Sequence, residues 1–168
     1  MSETNKDITV AFYKKALFEG RVEEAFRLYA VPTYRQHNPL IEDGMEGVKK
    51  FVTWIMSNHP DARGEIKRVF ADGDHVILHS HWHGLSDNPR GEAVVDIFRL
   101  EGGKVLEHWD VIQPIPETSA NANTIELNDH IPLQLDRPRR IEQPLDVLGT
   151  ANIEIFNVKL SIDGPLVF

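Results

Sequence analysis

The sequence contains no cysteine in 168 residues, which excludes disulfide bonds, thiolate metal ligands and a cysteine nucleophile. No apolar run approaches the roughly 20 residues that a membrane-spanning helix needs. The opening stretch, MSETNKDITV, lacks the basic start and apolar core of a secretory signal peptide. We therefore expect a soluble cytoplasmic protein that has no membrane partner.

Basic residues are fewer than acidic residues. The chain has 18 Lys and Arg residues against 26 Asp and Glu residues, which gives a formal net charge of −8. Nucleic acids are bound by basic patches, and the sequence has no basic run, so we expect no nucleic-acid partner. Hydrophobic residues make up 41% of the chain, which is enough for one domain with a real core.

Apolar residues recur at helical spacing in three segments: residues 5–19, 22–29 and 45–58. The last segment has the strongest pattern, with an apolar stripe on one side and Lys49 and Lys50 on the other. Between the second and third segments, residues 31–44 contain proline and asparagine and are predicted to be irregular. The histidine in that stretch, His37, is either a turn residue at the surface or a side chain that reaches into a pocket.

After Pro60 the apolar period becomes two, which is typical of strands. Four strands follow: residues 64–71, residues 75–83 and the two arms of a hairpin at residues 94–114. Three helices followed by an antiparallel meander predict an α+β fold, in which the helices pack on one face of a curved antiparallel sheet. A strongly bent sheet of this kind holds a pocket between itself and the helices.

The turn of the hairpin decides which side chains share a face of the sheet. Residues 101–103 fit a three-residue loop, a type I turn closed by a left-handed glycine, which pairs Leu100 with Lys104. A two-residue loop at residues 102–103 would change the parity and separate the acidic residues of the two strands. We predict the three-residue loop.

In this register Asp96 pairs with His108, and Asp110 lies on the same face among apolar side chains. Burying a charged group is costly unless the group is paired or neutralised. The three residues therefore form either a satisfied structural network or a working acid/base site.

A second group of titratable residues lies on the strand at residues 75–83, where His75, His79, His81 and His83 share one face. The last three could bind zinc or another divalent metal, because imidazole is a common ligand. Neighbours on one face of a strand are roughly 7 Å apart, which suits two ligands and strains three. A ladder that lines a pocket or faces solvent fits this spacing better, and the pattern does not show which face points inward.

Three segments together resemble the SnoaL-like polyketide cyclases, a group in the superfamily of proteins similar to nuclear transport factor 2. The segments are YRQHNPLIEDGMEGVKKF, HVILHSH and VVDIFRLEGGKVLEHWDVIQPIPETSANANT. Within the group, the chain is most similar to predicted SnoaL-like aldol-condensation enzymes, over residues 5–128. The part DIFRLEGGKVLEHWDVIQ is the specific one.

The resemblance implies a cone-shaped α+β barrel with a deep apolar pocket, often a homodimer, that acts without a metal or an organic cofactor. It assigns acid/base chemistry to Asp110 and places His37, Asp96 and His108 along the same cavity. We expect an apolar small molecule as the binding partner. Six further residues are candidates to contact it: Trp82, Phe98, Phe12, Trp54, His79 and His81.

The leading hypothesis is a small enzyme that acts on an apolar carbonyl compound. Asp110 would take a proton next to the carbonyl, and His108 or His37 would hydrogen-bond the oxygen of the enolate. Asp96 would orient His108. Aldol cyclisation, isomerisation and dehydration share this step and stay open. The alternatives are a non-catalytic module that binds a small ligand, and a metal-dependent activity of the histidine-rich strand.

Two parts of the chain depart from the family pattern. The epoxide hydrolases of the superfamily carry an arginine and an aspartate where this chain has Ser80 and Trp82, which argues against epoxide hydrolysis. Residues 1–128 are predicted to form the domain, and residues 129–168 form an extension with no counterpart in the pattern. Within the extension, residues 153–160 are a candidate strand that is apolar on both faces, and we expect it to pack on the domain or on a second subunit.

Overall fold

The computed structural model describes residues 4–121 together with residues 123 and 125. The helices are α1 (Asn5–Tyr13), which continues into a π-helical turn (Lys14–Phe18), α2 (Val22–Tyr29) and α3 (Gly44–Asn58). The strands are β1 (Ala30–Gln36), β2 (Arg63–Asp72), β3 (His75–His83), β4 (Glu92–Glu101) and β5 (Lys104–Pro114). None of the described helices is both long enough and apolar enough to cross a membrane. The predicted extension and its candidate strand lie outside the described residues.

Side-chain caps fix where two of the helices begin. Thr4 and Asp7 form a capping box at the start of α1, in which each side chain accepts a backbone N–H from the other residue. At the start of α3, the Asp43 carboxylate accepts the N–H of Gly44 at 2.9 Å and the N–H of Gln36 at 2.8 Å. Asp43 therefore ties the end of β1 to the start of α3.

The five strands form one sheet in the order β1-β5-β4-β3-β2. β2 to β5 are an antiparallel meander, and β1 pairs in parallel with β5 at one edge. The predicted α+β fold with three helices is confirmed, but the prediction that residues 31–44 are wholly irregular is wrong. Pro32 lies within β1 and is exposed, and an edge strand tolerates a residue that has no backbone N–H.

One face of the sheet packs against the helices. On β3 four alternating residues point toward the helices and are buried: Val76, Leu78, Ser80 and Trp82. The ring of Phe98 on β4 lies between two rings from α1, with centroid distances of 6.0 Å to Phe12 and 6.2 Å to Tyr13. Because side chains alternate along a strand, the four histidines of β3 occupy the outer face.

The turn between β4 and β5 differs from the predicted one. Glu101 pairs with Lys104, so the loop has two residues, Gly102 and Gly103. Their φ angles of 57° and 74° are both positive, as a type I′ turn requires, and glycine adopts positive φ without steric cost. The predicted three-residue loop is therefore wrong.

A bulge at Leu106 on β5 restores the parity that the short loop changes. Beyond the bulge, Phe98 pairs with His108 and Asp96 pairs with Asp110, so the predicted Asp96–His108 pair is also wrong in register. The two aspartates and the histidine nevertheless share the inner face. The predicted grouping is present, although it results from a two-residue loop followed by a bulge, and not from the predicted three-residue loop.

Two glycines with positive φ offer a matched test of local packing. Gly91 (φ 77°) precedes β4, and a methyl group added there would lie 2.0 Å from the Trp82 carbonyl oxygen. Gly102 has no such neighbour within 4 Å. We expect Gly102→Ala to lower the free energy of unfolding by about 1–2 kcal/mol, the penalty of a left-handed backbone. Gly91→Ala should lower it clearly more, and equal losses in urea denaturation would contradict this packing argument.

Candidate active site

A cavity lies between the helices and the inner face of the sheet. Most of its lining is apolar or aromatic, and a few polar groups come from β1, β4 and β5. The lining residues are Phe12, Tyr13, Leu17, Tyr34, Gln36, Ile41, Val48, Phe51, Ile55, Trp82, Leu85, Val94, Asp96, Phe98, His108, Asp110 and Ile112. Three of the six predicted contact residues are among them: Phe12, Trp82 and Phe98.

Three titratable side chains meet in this cavity. One donor atom from each of Asp96, His108 and Asp110 lies within 4.8 Å of the other two. Asp96 and His108 are buried, and Asp110 is half-buried. His108 Nε2 lies 3.0 Å from Asp96 Oδ1, which is hydrogen-bond distance. The structure therefore brings together three of the four residues predicted to be catalytic.

Gln36 determines how His108 is protonated. The Gln36 Oε1 atom accepts the backbone N–H of Asn38 at 2.9 Å, so this oxygen faces His108 Nδ1 at 3.0 Å. Because a carbonyl oxygen can only accept, Nδ1 carries a proton and donates it. The hydrogen bond between Nε2 and Asp96 then holds one proton, which resides on the imidazole or on the carboxyl group.

Asn38 holds the second carboxylate. Its Nδ2 atom donates to both oxygens of Asp110, at 2.9 and 2.8 Å, and its Oδ1 atom accepts the N–H of Leu40 at 2.8 Å. Asn38 is buried, although it belongs to the loop that follows β1. Gln36 and Asn38 therefore position His108 and Asp110 from a neighbouring strand and loop.

Burial raises the pKa of the Asp110 carboxyl above its ordinary value of 3.8. The Asn38 hydrogen bond and the nearby His108 act in the opposite direction, and the Asp96 charge adds to the rise. The net direction is upward, because loss of water is the largest effect. A carboxylate in this state is a stronger base than one in open solvent.

A buried tyrosine forms part of the aromatic wall. The Tyr13 hydroxyl accepts the indole N–H of Trp82 at 3.0 Å and lies 3.3 Å from the hydroxyl oxygen of Ser80. Burial, followed by the charge of Asp96, raises the pKa of Tyr13 well above its ordinary value. Tyr13 is therefore neutral, and its hydroxyl group lies in contact with Ser80 and Trp82.

His37, the fourth residue predicted to be catalytic, lies outside the cavity. Its side chain is exposed and stacks on Trp109, with ring centroids 4.6 Å apart and planes within 3° of parallel. Trp109 pairs with Ile97 and alternates with His108 and Asp110, so it belongs to the outer face. The role predicted for His37 does not agree with this position.

The three remaining contact candidates are also away from the cavity lining. Trp54 is 50% exposed on α3. His79 and His81 are on the outer face of β3, because the residues that alternate with them face the helices. His79 Nδ1 lies 2.6 Å from the Arg68 guanidinium, and His81 Nε2 lies 2.8 Å from the carbonyl oxygen of Arg90.

Sequence reasoning missed Gln36, Asn38, Tyr13 and Tyr34. The alternation of Tyr34 and Gln36 would have indicated an inward face if β1 had been recognised as a strand. Asn38 carried a signal, since it precedes Pro39 in a segment of the family pattern, but a turn explained it equally well.

A model of the SnoaL-like domain matches residues 9–108, which is more than half of the chain. A comparison with curated proteins finds no match. Among solved structures, TsrD from Streptomyces laurentii is 21% identical, with a TM-score of 0.55 over 67% of this chain and 90% of that chain.

Two further solved structures are described as polyketide cyclases. The protein from Acidithiobacillus ferrooxidans is 23% identical, with a TM-score of 0.54 over 67% of this chain and 89% of that chain. The protein from Bacillus cereus is 21% identical, with a TM-score of 0.56 over 65% and 74%. These likenesses show a common fold, and with the domain match they establish that the chain belongs to the SnoaL-like domain family.

Proposed function

We propose that this protein is an enzyme that removes a proton from the carbon next to the carbonyl group of an apolar small molecule. The observation that carries the proposal is the position of Asp110, a half-buried carboxylate with a raised pKa beside His108 in a cavity of apolar and aromatic side chains. A desolvated carboxylate of this kind suits a general base. The apolar lining suits a substrate with few polar groups.

The Asp96–His108 pair is the partner for the charge that develops on the substrate oxygen. His108 holds a proton on Nδ1 through Gln36 and shares a second proton with Asp96. Both nitrogens of His108 are engaged in these contacts, so the donor to the enolate is the N–H that His108 shares with Asp96, which turns to the substrate oxygen. A donor held in a site with little water stabilises an enolate strongly. Asp110 takes the α-proton, His108 hydrogen-bonds the oxygen, and Asp96 positions the imidazole. Cyclisation, isomerisation and dehydration all begin with this step.

One observation favours a binding module instead. Both oxygens of Asp110 are hydrogen-bonded to the Asn38 amide, as they would be in a network that serves only the fold. A panel of apolar cyclic and aromatic ketones separates the two functions. Binding is measured as a ligand-induced rise in melting temperature, and turnover is measured by NMR as deuterium uptake at the α-carbon in D₂O. An enzyme exchanges the α-proton of a ketone that it binds, whereas binding without exchange would overturn the proposal.

The His108→Gln variant tests the partner role. Glutamine keeps a hydrogen-bond donor but cannot share a proton with Asp96 as imidazole does. We expect the exchange rate to fall by about 10²-fold, the lower end of what a positioned proton-transferring side chain contributes. His81→Gln is the matched control on the outer face and should exchange at the wild-type rate. Equal rates in the two variants would remove His108 from the mechanism.

A further inference from the structure

One atom in the cavity lacks a partner. The Asp96 side chain is 5% exposed, and its Oδ2 atom makes no hydrogen bond of normal geometry within the described part of the chain. The Tyr13 hydroxyl is near enough to Asp96 to raise the pKa of Tyr13, but it does not satisfy Oδ2 at normal hydrogen-bond geometry. A buried oxygen without a partner costs free energy, more so when the group is charged. Asp96 Oδ2 is therefore placed to accept a ligand that supplies positive charge.

We infer that Asp96, His108 and Asp110 form a binding site for one first-row divalent transition-metal ion. Their donor atoms lie within 4.8 Å of one another. Bonds of about 2.0–2.2 Å at tetrahedral angles place two ligand atoms of a zinc ion roughly 3.3–3.6 Å apart. The donor atoms would therefore approach one another by at most about 1.5 Å to coordinate one ion.

The contacts around the three residues are those that metal ligands require. His108 donates from Nδ1 to Gln36 Oε1, which leaves Nε2 to bind a metal once its shared proton is released. Metal-binding histidines usually donate their other N–H to a carbonyl or carboxylate group in this way. Asp110 is oriented by Asn38, and a carboxylate that accepts two hydrogen bonds still has lone pairs for an ion.

Charge and donor type select the ion. Two carboxylates and a neutral imidazole carry a charge of −2, which a dication neutralises in a cavity where net charge is costly. One nitrogen and two oxygen donors suit zinc, cobalt or manganese. Calcium requires six to eight oxygens, and magnesium keeps most of its water, so both should bind poorly.

The four histidines on the outer face of β3 form the alternative metal site in the same chain, which we call the histidine ladder: His75, His79, His81 and His83. The rings of His81 and His83 lie 3.9 Å apart, but three of its histidines do not bring their nitrogens together as Asp96, His108 and Asp110 do among the described residues. Two of its members also have hydrogen-bond partners of their own. Arg68 lies against His79 Nδ1, and a backbone carbonyl lies against His81 Nε2. An arginine beside an imidazole also repels a cation. The two sites share no residue, so substitutions in one leave the other intact.

A bound ion would replace the proton shared by Asp96 and His108 and would occupy Asp110. Metal binding and use of Asp110 as a base are therefore mutually exclusive. The site does not depend on the proposed reaction, because binding is measured without substrate.

Titration of the metal-free protein with Co²⁺, followed by visible absorbance, tests the inference, and calorimetry with Zn²⁺ gives the stoichiometry. We expect one ion per chain and a loss of affinity of at least about 100-fold in Asp96→Asn and in His108→Gln. His79→Gln and His81→Gln are the matched controls and should bind as the wild type does. Mg²⁺ should not displace Co²⁺.

Gln36→Ala covers the case in which a ligand variant fails to fold. It removes the acceptor behind His108, which also accepts the backbone N–H of Asn38, and keeps all three proposed ligands. Loss of such a contact typically weakens metal binding by about 10–100-fold. The absence of Co²⁺ binding at millimolar concentration would overturn the inference. Binding that survives Asp96→Asn and His108→Gln, or that is lost only in the outer-face variants, would also overturn it.

Discussion

Replacing Asp110 with asparagine is expected to lower the rate of α-proton exchange by about 10²–10⁴-fold, the usual contribution of a positioned general base. The side chain keeps its shape and one of its two hydrogen bonds from Asn38 but can no longer take a proton. The fold should lose little stability at neutral pH. The measurement pairs deuterium exchange with urea denaturation of the same protein. If exchange and stability fall together, Asp110 is structural.

The pH dependence of stability provides an independent check. Because the pKa of Asp110 is raised in the folded state, its protonated form stabilises the fold. That contribution is complete below the unfolded-state pKa of about 3.9 and is lost as the pH rises through the higher folded-state pKa. The unfolding free energy of the wild type relative to Asp110→Asn should therefore decline as the pH rises above about 4. A difference that stays level or rises over this pH range would contradict the upward shift of the Asp110 pKa.

Replacing Phe98 with alanine is expected to lower the free energy of unfolding by about 3–5 kcal/mol. Phe98 is 2% exposed and contacts the rings of Phe12, Tyr13 and His108. Its removal would leave a void beneath the site as well as a loss of buried apolar area. A small domain has about 5–15 kcal/mol of total stability, so the variant should be close to unfolding at 37 °C.

Phe70→Ala is the matched control for this prediction. Phe70 is 54% exposed on β2 and gains little from the fold. Urea denaturation should show a loss below about 1 kcal/mol for Phe70→Ala. Similar losses in the two variants would mean that the aromatic cluster around Phe98 does not carry the core.

Alternation along strands was the most reliable guide that the sequence offered. It grouped Asp96, His108 and Asp110 correctly although the turn and the register were both predicted wrongly. The agreement has a physical basis. A strand that shifts by one residue moves all its side chains to the opposite face, so the apolar neighbours of the charged groups would become exposed to solvent. The bulge at Leu106 could not be predicted, because nothing in the local sequence distinguishes it from a regular strand.

Alternation could not predict the roles of Gln36, at the end of β1, and of Asn38, in the loop that follows. Gln36 and Asn38 meet His108 and Asp110 across 72 positions of sequence, and a local pattern does not report such contacts. Proline in this segment suggested a loop, whereas Pro32 lies in β1, the edge strand among the described strands. The face of the histidine ladder was likewise decided by tertiary packing, since both faces of β3 carry large side chains.

The bulge at Leu106 has a consequence for aligning this chain with its relatives. If the strand were straightened with Leu106 retained, Glu107 and Trp109 would point into the cavity in place of His108 and Asp110. A relative whose hairpin lacks this one residue can place the same acidic and imidazole groups in the cavity with regular pairing between its strands. An alignment with such a relative should therefore place a one-residue gap at Leu106. A gap elsewhere in β5 would align His108 and Asp110 with residues that lie on the opposite face of the sheet.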